Sequence, residues 1–193
     1  MTTTEYTIRP ATPDDVLAIN SIHKHYVENT VITFVTEANS DETALANYEK
    51  VKKEGLPYLV AEDNDSKTVL GYTYAASFRG VKPGYRHSLE LSLFCHPDHV
   101  RKGVGKALLL RLIEILKAPK EWRDWFEGDR LFDYTPRQLI ACMSVDIDGP
   151  GNGLKLRDWY LGHGFEQSGH LKRVGFKKNR WIDTMYLQLQ LSE

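Results

Sequence analysis

The fold of this chain is decided by the stretch Val100-Arg101-Lys102-Gly103-Val104-Gly105-Lys106-Ala107, which links an apolar run at residues 89–95 to an apolar helical pattern at 107–116. Its two glycines have no Cβ, so the backbone can turn tightly between the two segments. The first turn of the helix then presents unpaired N–H groups and the positive end of the helix dipole, an arrangement that binds phosphate. The stretch therefore predicts a phosphate-binding loop between a strand and a helix.

This loop differs from the two common phosphate-binding motifs. A Walker loop has four residues between its glycines, followed by Lys and Ser or Thr. A dinucleotide fingerprint has a third glycine where this chain has Leu108. A glycine turn that merely begins an ordinary helix would show the same spacing, so both interpretations stay open on the loop alone.

The composition is that of one globular domain of 193 residues with 41% hydrophobic residues. The formal net charge of −1 argues against a general nucleic-acid-binding protein. No apolar run approaches the ~20 residues that span a bilayer, and the N-terminus lacks an apolar signal core. Cys95 and Cys142 lie far apart in apolar stretches, which favours reduced core cysteines and a cytoplasmic protein. From the charge and the lack of a long apolar run, we expect neither nucleic-acid nor membrane partners.

Strand and helix signals alternate along the chain and end in two closing strands, which predicts a mixed α/β sheet with helices on both faces. Thr12 followed by Pro13 and acidic residues marks the first helix start, and Ser40 marks the second. The predicted strands cover residues 6–9, 58–62, 69–77, 88–95, 139–145, 165–174 and 181–191. The predicted helices cover residues 12–26, 40–55, 107–117 and 154–161, with an extended segment at 31–34.

Residues 118–137 interrupt this order as an insertion that is rich in aromatic and charged side chains. We expect an extra ordered helix here. The alternatives are a cover over the active site, a contact within a homodimer, and a separate small core, since aromatic enrichment fits all three. The aromatic residues concerned are Trp122, Trp125, Phe126 and Phe132.

Three features in this order make the chain resemble the GNAT acetyltransferase superfamily over essentially its whole length. They are I-R-x-A-x-x-x-D at residues 8–15, R-K-G-V-G-K-A-L-L at 101–109 and W-Y-L-G-H-G-F at 159–165. The resemblance implies a single GNAT domain at residues 1–193, with a mixed, mostly antiparallel sheet flanked by helices. Further features make the chain most similar to the phosphinothricin acetyltransferase group, namely the I-R-P-A-T start, Phe34, Tyr85, Glu90, Trp181 and Asp183.

The resemblance also implies acetyl-CoA as co-substrate, without a metal. Backbone amides of the glycine loop would bind the pyrophosphate, and the pantetheine arm would follow the edge of the strand before it. The superfamily usually has Gln or Arg where this chain has Val100, and Asn152 lies one residue further from Tyr160 than the usual interval. The implied cofactor residues are Leu93, Phe94, Cys95, Arg101, Lys102, Gly103, Val104, Gly105, Lys106 and Asn152.

Acetyl transfer to an amine requires a neutral nitrogen and a proton for the leaving thiolate. The resemblance implies Glu90 as the general base, because partial burial raises the pKa of a carboxyl group. The alternative is a solvent-facing Glu90, with Leu89 and Leu91 on the buried side of the strand. Tyr160 is implied as the acid, with His163 as its rival and an ordinary core aromatic residue as the alternative.

Phe34, Arg79, Lys82 and Tyr85 fall on segments that wall the acceptor site in similar enzymes. Either cation would pair with a carboxylate or phosphinate, and the alternative is a solvated loop cation. The implied reaction transfers acetyl from acetyl-CoA to the amine of a small amino-acid-like acceptor, of the phosphinothricin or methionine sulfoximine and sulfone type. The alternatives are a peptide, protein or polyamine N-acetyltransferase, and a non-catalytic acyl-CoA-binding sensor.

Overall fold

The computed structural model describes residues 5–99, 103–126 and 135–192 of the chain. Within them, the helices are α1 (Val16–Asn29), α2 (Asp41–Lys53), α3 (Val104–Lys117) and α4 (Lys155–Leu161). The strands are β1 (Tyr6–Pro10), β2 (Tyr58–Asp63), β3 (Val69–Ser77), β4 (Ser88–Cys95), β5 (Gln138–Val145), β6 (Glu166–Lys177) and β7 (Arg180–Gln190).

The strands form one seven-stranded sheet in the order β1-β2-β3-β4-β5-β7-β6. Every neighbouring pair is antiparallel except β4 and β5, which run parallel. The structure thus confirms the mixed sheet expected from the sequence, and β4 has its predicted limits. Helix α3 begins at Val104 rather than at residue 107, because Gly103 adopts the left-handed conformation (φ 77°) and serves as its N-cap.

Different helices cover the two faces of the sheet. Helix α1 packs on one face, where the rings of Tyr26 and Phe94 have centroids 5.4 Å apart. Helix α3 packs on the other face, where a Cβ added to Gly71 would lie 3.3 Å from Leu108 Cδ1. The apolar stripe of α3 forms the centre of the core, since Leu108 and Leu112 are both 0% exposed. Two sequence features produce these contacts. Helix α1 has an acidic start and a helical apolar period, and helix α3 has an apolar stripe that repeats every 3.6 residues.

Strands β4 and β5 pair over residues 88–91 and 138–141 and then separate. Beyond that point β4 remains paired with β3 as far as Cys95, and β5 remains paired with β7 as far as Val145. The sheet is therefore continuous on both sides of an opening between residues 92–95 and 142–145. Strand edges that face such an opening carry backbone N–H and C=O groups that a ligand can bind.

The described part of the insertion packs on α3. Arg111 of α3 lies 4.7 Å from the ring centroid of Trp122 and 5.8 Å from that of Trp125, and the two indoles meet edge to face at 5.5 Å. Residues 123–125 form a 3₁₀ turn, so residues 118–126 contain no α-helix of the kind expected from the sequence. Trp122, Trp125 and Phe126 pack against the main core, so the described part of the insertion extends that core and forms no separate one, whereas Phe132 lies outside the described residues.

Both cysteines are free, but neither is the fully buried core residue that the sequence suggested. Cys142 is exposed, and Cys95 is half-buried at the opening between β4 and β5. The reason is strand alternation, since Cys142 points to the face opposite the buried Ala141 and Met143. None of the helices in the described ranges has the length and apolar composition of a membrane span.

Candidate active site

The opening between β4 and β5 continues into a groove of about 610 Å³ that is lined mainly by apolar atoms. Leu93 and Cys95 form the β4 wall, and Met143 and Ser144 form the β5 wall. The N-terminal residues of α3 close one end of the groove, and the loop after β5 together with Trp159 closes the other side. This shape fits an extended ligand whose apolar stem lies between the strands.

The glycine loop meets this groove at the start of α3. Gly103 is left-handed at φ 77°, and a Cβ there would find no heavy atom closer than the Tyr6 hydroxyl at 3.9 Å, so the need for glycine is conformational. Gly105 faces the strand instead, and a Cβ there would approach Cys95 Sγ to 3.2 Å. Gly103, Val104, Gly105 and Lys106 all line the groove, whereas Arg101 and Lys102 lie outside the described residues.

Phe94, which was expected to bind the cofactor, does not line the groove, whereas Leu93 and Cys95 do. Its side chain points to the opposite face, where its ring centroid lies 5.5 Å from those of His23 and Tyr72. On the same face, the Tyr26 hydroxyl donates a 2.7 Å hydrogen bond to the Cys95 carbonyl. These contacts fix the end of β4, and the Phe94 carbonyl oxygen faces Gly71 of β3 rather than the opening.

Glu90 lies where β4 and β5 begin to separate, in register with Ile140 of β5. Its carboxylate is half-buried on the face opposite Leu89 and Leu91, which are 2% and 5% exposed. Burial raises the pKa of Glu90 above its ordinary value, since the charged form loses hydration. The leucines do form the buried side of the strand, but Glu90 is not the fully solvated residue of the alternative interpretation.

Glu90 lines a second cavity of about 650 Å³ on its own face of the sheet. The exposed Arg79 lines the same cavity, and its positive charge acts on Tyr186, another lining residue. Tyr85 joins this group indirectly, because its ring meets that of Phe78, also a lining residue, edge to face at 5.5 Å. The cavity thus combines one carboxylate, one guanidinium and one phenol.

The two remaining substrate candidates lie elsewhere. Lys82 lines a separate groove with Lys50 and other cations, since the loop after β3 turns it away from Glu90. The ring of Phe34 packs directly against Gly175 of β6, where any side chain would collide with it. Residues 31–34 form bends rather than an extended segment, and Lys177 Nζ donates a 2.8 Å hydrogen bond to the Thr33 carbonyl that fastens this segment to β6.

Tyr160 lies in α4, is 6% exposed, and packs against Trp159 and Phe165 with centroid distances of 4.9 and 5.0 Å. Burial raises its pKa above the ordinary range, with a smaller contribution from the nearby Cys95 thiol. Its hydroxyl therefore keeps its proton beside the β4 wall of the groove. His163 does not line the groove; its Nδ1 lies 2.7 Å from the Trp159 carbonyl oxygen at the helix end.

Asn152 is exposed in the loop after β5, with a left-handed φ of 54°. Its neighbours Gly149, Pro150 and Gly153 line the groove, but Asn152 does not. Among the residues that the structure describes, no group of three or more His, Cys, Asp or Glu side chains is placed to hold a metal ion.

The sequence analysis did not identify Tyr186, Cys142 or Ser144 as residues of the site. Tyr186 and Cys142 are paired across β7 and β5, and both interact electrostatically with Glu90. Ser144 has a buried hydroxyl without a hydrogen-bond partner among the described residues. Alternation along β5 and β7 could have placed Tyr186 and Cys142 on one face, but their interaction with Glu90 depends on strand order, which the sequence does not display.

Comparison with known proteins gives consistent matches. The model of the Acetyltransferase (GNAT) family matches residues 19–122. The chain is 39% identical over 186 residues to phosphinothricin N-acetyltransferase of Alcaligenes faecalis, covering 96% of this chain and 83% of that protein. It is 32% identical over 189 residues to L-methionine sulfoximine/L-methionine sulfone acetyltransferase of Salmonella typhimurium, covering 97% and 95%.

Structural comparison gives the same result. The chain is similar to the crystal structure of a GNAT superfamily phosphinothricin acetyltransferase from Sinorhizobium meliloti in complex with acetyl-CoA. The TM-score is 0.79 at 31% sequence identity, and the match covers 98% of this chain and 90% of that one.

Proposed function

The chain belongs to the GNAT acetyltransferase family, and from this premise we propose that it transfers an acetyl group from acetyl-CoA to the amine of a small amino-acid-like acceptor. The GNAT fold and an acetyltransferase activity, both predicted from the sequence, are confirmed by the family match and the structural similarity. One observation carries the proposal: Glu90 lies where β4 and β5 separate and lines a cavity that also contains Arg79.

The residues of the groove fit acetyl-CoA. The left-handed Gly103 and the start of α3 suit a pyrophosphate, while Leu93 and Cys95 offer an apolar wall to the pantetheine arm. Ser144 carries a buried hydroxyl without a partner among the described residues, which an amide-bearing ligand can satisfy. When bound, acetyl-CoA supplies an activated acetyl group, and the Sinorhizobium meliloti relative has been crystallised with it.

Glu90 serves as the general base in this proposal. An alkyl amine is mostly protonated at neutral pH, so the acceptor nitrogen must lose a proton before it can attack. Burial raises the pKa of Glu90 and makes it a better proton acceptor than a solvated carboxylate. Its position at the opening lets it act directly or through one water molecule.

Tyr160 serves as the hydrogen-bond donor to the leaving sulfur. The raised pKa of Tyr160 opposes complete transfer of its proton to the sulfur. The same apolar surroundings also raise the pKa of the leaving thiol, which makes the thiolate a better proton acceptor. Its place beside Cys95 supports this role, since Cys95 lines the groove. His163 is disfavoured because its ring is engaged at the end of α4.

Arg79 selects acceptors with an anionic group. Its guanidinium has no ion pair with any described residue and shares the cavity with Glu90, so a ligand with an amine and a carboxylate or phosphinate matches both charges. A polyamine would place positive charge beside Arg79. This electrostatic conflict is the reason to favour amino-acid-like acceptors over the polyamine alternative.

The test is thiol release from acetyl-CoA with methionine sulfone, methionine sulfoximine, phosphinothricin, spermidine and a basic peptide as acceptors. We expect turnover of the first three and none of the last two. Arg79→Gln should abolish this preference by raising the KM for the anionic acceptors, because the charged partner is lost. CoA binding without turnover of any acceptor would instead support the acyl-CoA-binding sensor.

We also propose that the enzyme is a cytoplasmic homodimer. The two free cysteines, one of them exposed, suit a reducing compartment. The β6–β7 hairpin exposes a group of large apolar side chains, which marks an interaction surface. Light scattering after size exclusion tests the dimer, since a mass of one 22.1 kDa chain would contradict it. The exposed side chains are those of Leu171, Val174, Phe176 and Trp181.

A further inference from the structure

The second cavity contains a phenol hydroxyl that the mechanism above does not use. Tyr186 of β7 lines the cavity with Glu90 and Arg79, and it interacts electrostatically with both. Its direct cross-strand neighbour is Cys142 on β5, which is exposed. Tyr186 therefore shares one cavity with the base and the cation of the acceptor site.

The Tyr186 hydroxyl is a suitable donor to a carboxylate. Hydrogen bonds to charged groups are about twice as strong as neutral ones. The sulfur of the neighbouring Cys142 is a weak hydrogen-bond acceptor, so it competes little with a carboxylate for the hydroxyl proton.

The other polar side chains of the cavity are already engaged. Gln188 Nε2 donates a 2.8 Å hydrogen bond to Gln138 Oε1, and the Ser168 hydroxyl donates to Gln188 Oε1 at 3.3 Å. When it is ionised, Glu90 accepts hydrogen bonds and donates none, so it suits the ammonium group of an acceptor and not its carboxylate. The side chains of the cavity whose donors have no hydrogen bond to a described residue are Arg79 and Tyr186, while Gln188 keeps one N–H of its amide besides the one that it donates to Gln138.

We propose that Tyr186 is a specificity-determining residue that donates a hydrogen bond to the acceptor carboxylate together with Arg79, while Glu90 faces the acceptor amine. This inference rests on the proposed function. It adds Tyr186 of β7 as a second residue that binds the acceptor carboxylate, besides Arg79 in the loop after β3. Two donors from different elements fix the direction of the carboxylate, and hence the amine's position relative to the opening between β4 and β5.

The test compares methionine sulfone with its carboxamide, which lacks the negative charge. Tyr186→Phe should raise the KM for methionine sulfone about tenfold, change kcat less than twofold, and raise the KM for the carboxamide clearly less, because a neutral carbonyl accepts a weaker hydrogen bond than a carboxylate. Tyr48→Phe is the matched control, because its hydroxyl donates to the Ala11 carbonyl outside the cavity at 2.9 Å. Its KM values should equal those of the wild type.

Two results would overturn the inference and leave the proposed function intact. An unchanged KM for methionine sulfone in Tyr186→Phe would show that the hydroxyl does not contact the acceptor. An equal rise for both ligands would show that the ring only shapes the cavity. Failure of the wild type to acetylate any anionic acceptor would overturn the proposed function itself, and this inference with it.

Discussion

Substitution of Gly103 by Val tests whether backbone amides, rather than side chains, bind the cofactor phosphates. Gly103 has φ 77° and ψ 1°, a conformation that is unfavourable for residues with a Cβ. An added Cβ meets no heavy atom closer than 3.9 Å, so the penalty is backbone strain alone. Such strain is worth roughly 1–3 kcal/mol. If the free loop of the variant relaxes and CoA binding must restore the left-handed conformation, the Kd for CoA rises by at most about 5- to 150-fold, and the strain that is not relieved lowers the stability instead.

The assay is titration calorimetry of CoA, with Gly80→Val as the matched control. Gly80 has φ 80°, a Cβ there meets nothing within 4 Å, and it lies in the loop after β3. Both variants should lose similar thermal stability, whereas only Gly103→Val should weaken CoA binding. The Arg101→Ala and Lys102→Ala variants should each weaken binding less than Gly103→Val. A larger loss in either of them would refute the reasoning, because side-chain charge would then dominate.

Three further predictions concern the reaction and the stability of the fold. Glu90→Gln should retain the Kd for CoA and lose roughly 10²–10⁴-fold in turnover at pH 7. In the wild type, a pH profile of kcat/KM should show the rate falling as pH drops through the raised pKa of Glu90. Tyr160→Phe should lower kcat more than it raises the KM for acetyl-CoA, and steady-state kinetics with an unchanged kcat would contradict its role. Burial of Asp15 opposes its ionisation, but hydrogen bonds from Arg9 and Thr12 prevail and lower its pKa. Its stabilising effect is therefore present above the unfolded pKa and lost as pH falls through the folded one. Asp15→Asn should cost roughly 1–3 kcal/mol in urea unfolding at pH 7, and the difference from the wild type should shrink as pH falls below the unfolded pKa.

The sequence contained most of the fold because each local signal has a physical cause that acts over a few residues. The β4 strand has its predicted limits, and the apolar period of α3 identified a core helix. Helix α3 begins earlier than predicted because the left-handed Gly103 serves as its N-cap, and apolar periodicity does not show where a cap lies. The segment at 31–34 was predicted extended from its β-branched residues, but its contacts with β6 override that propensity.

The candidate site, like the fold, was predicted from the sequence only in part. Motif spacing indicated the glycine loop, and the resemblance to the superfamily implied Glu90 and Tyr160, because each of these features lies within one continuous segment. The choice between Arg79 and Lys82 could not be made from the chain, since two exposed cations a few residues apart look alike in sequence. The loop after β3 places Arg79 in the cavity of Glu90 and Lys82 in a separate groove.

The sequence by itself determined the elements, the phosphate-binding loop and the family to which the chain is similar. Only the tertiary structure decided which side chains share the acceptor cavity, because the parallel pairing of β4 with β5 and the position of β7 beside β5 join residues far apart in the chain. The electrostatic interactions of Tyr186 and Cys142 with Glu90 depend on that strand order. Strand order is fixed by the packing of whole helices on the two faces of the sheet, a long-range property that no local pattern encodes.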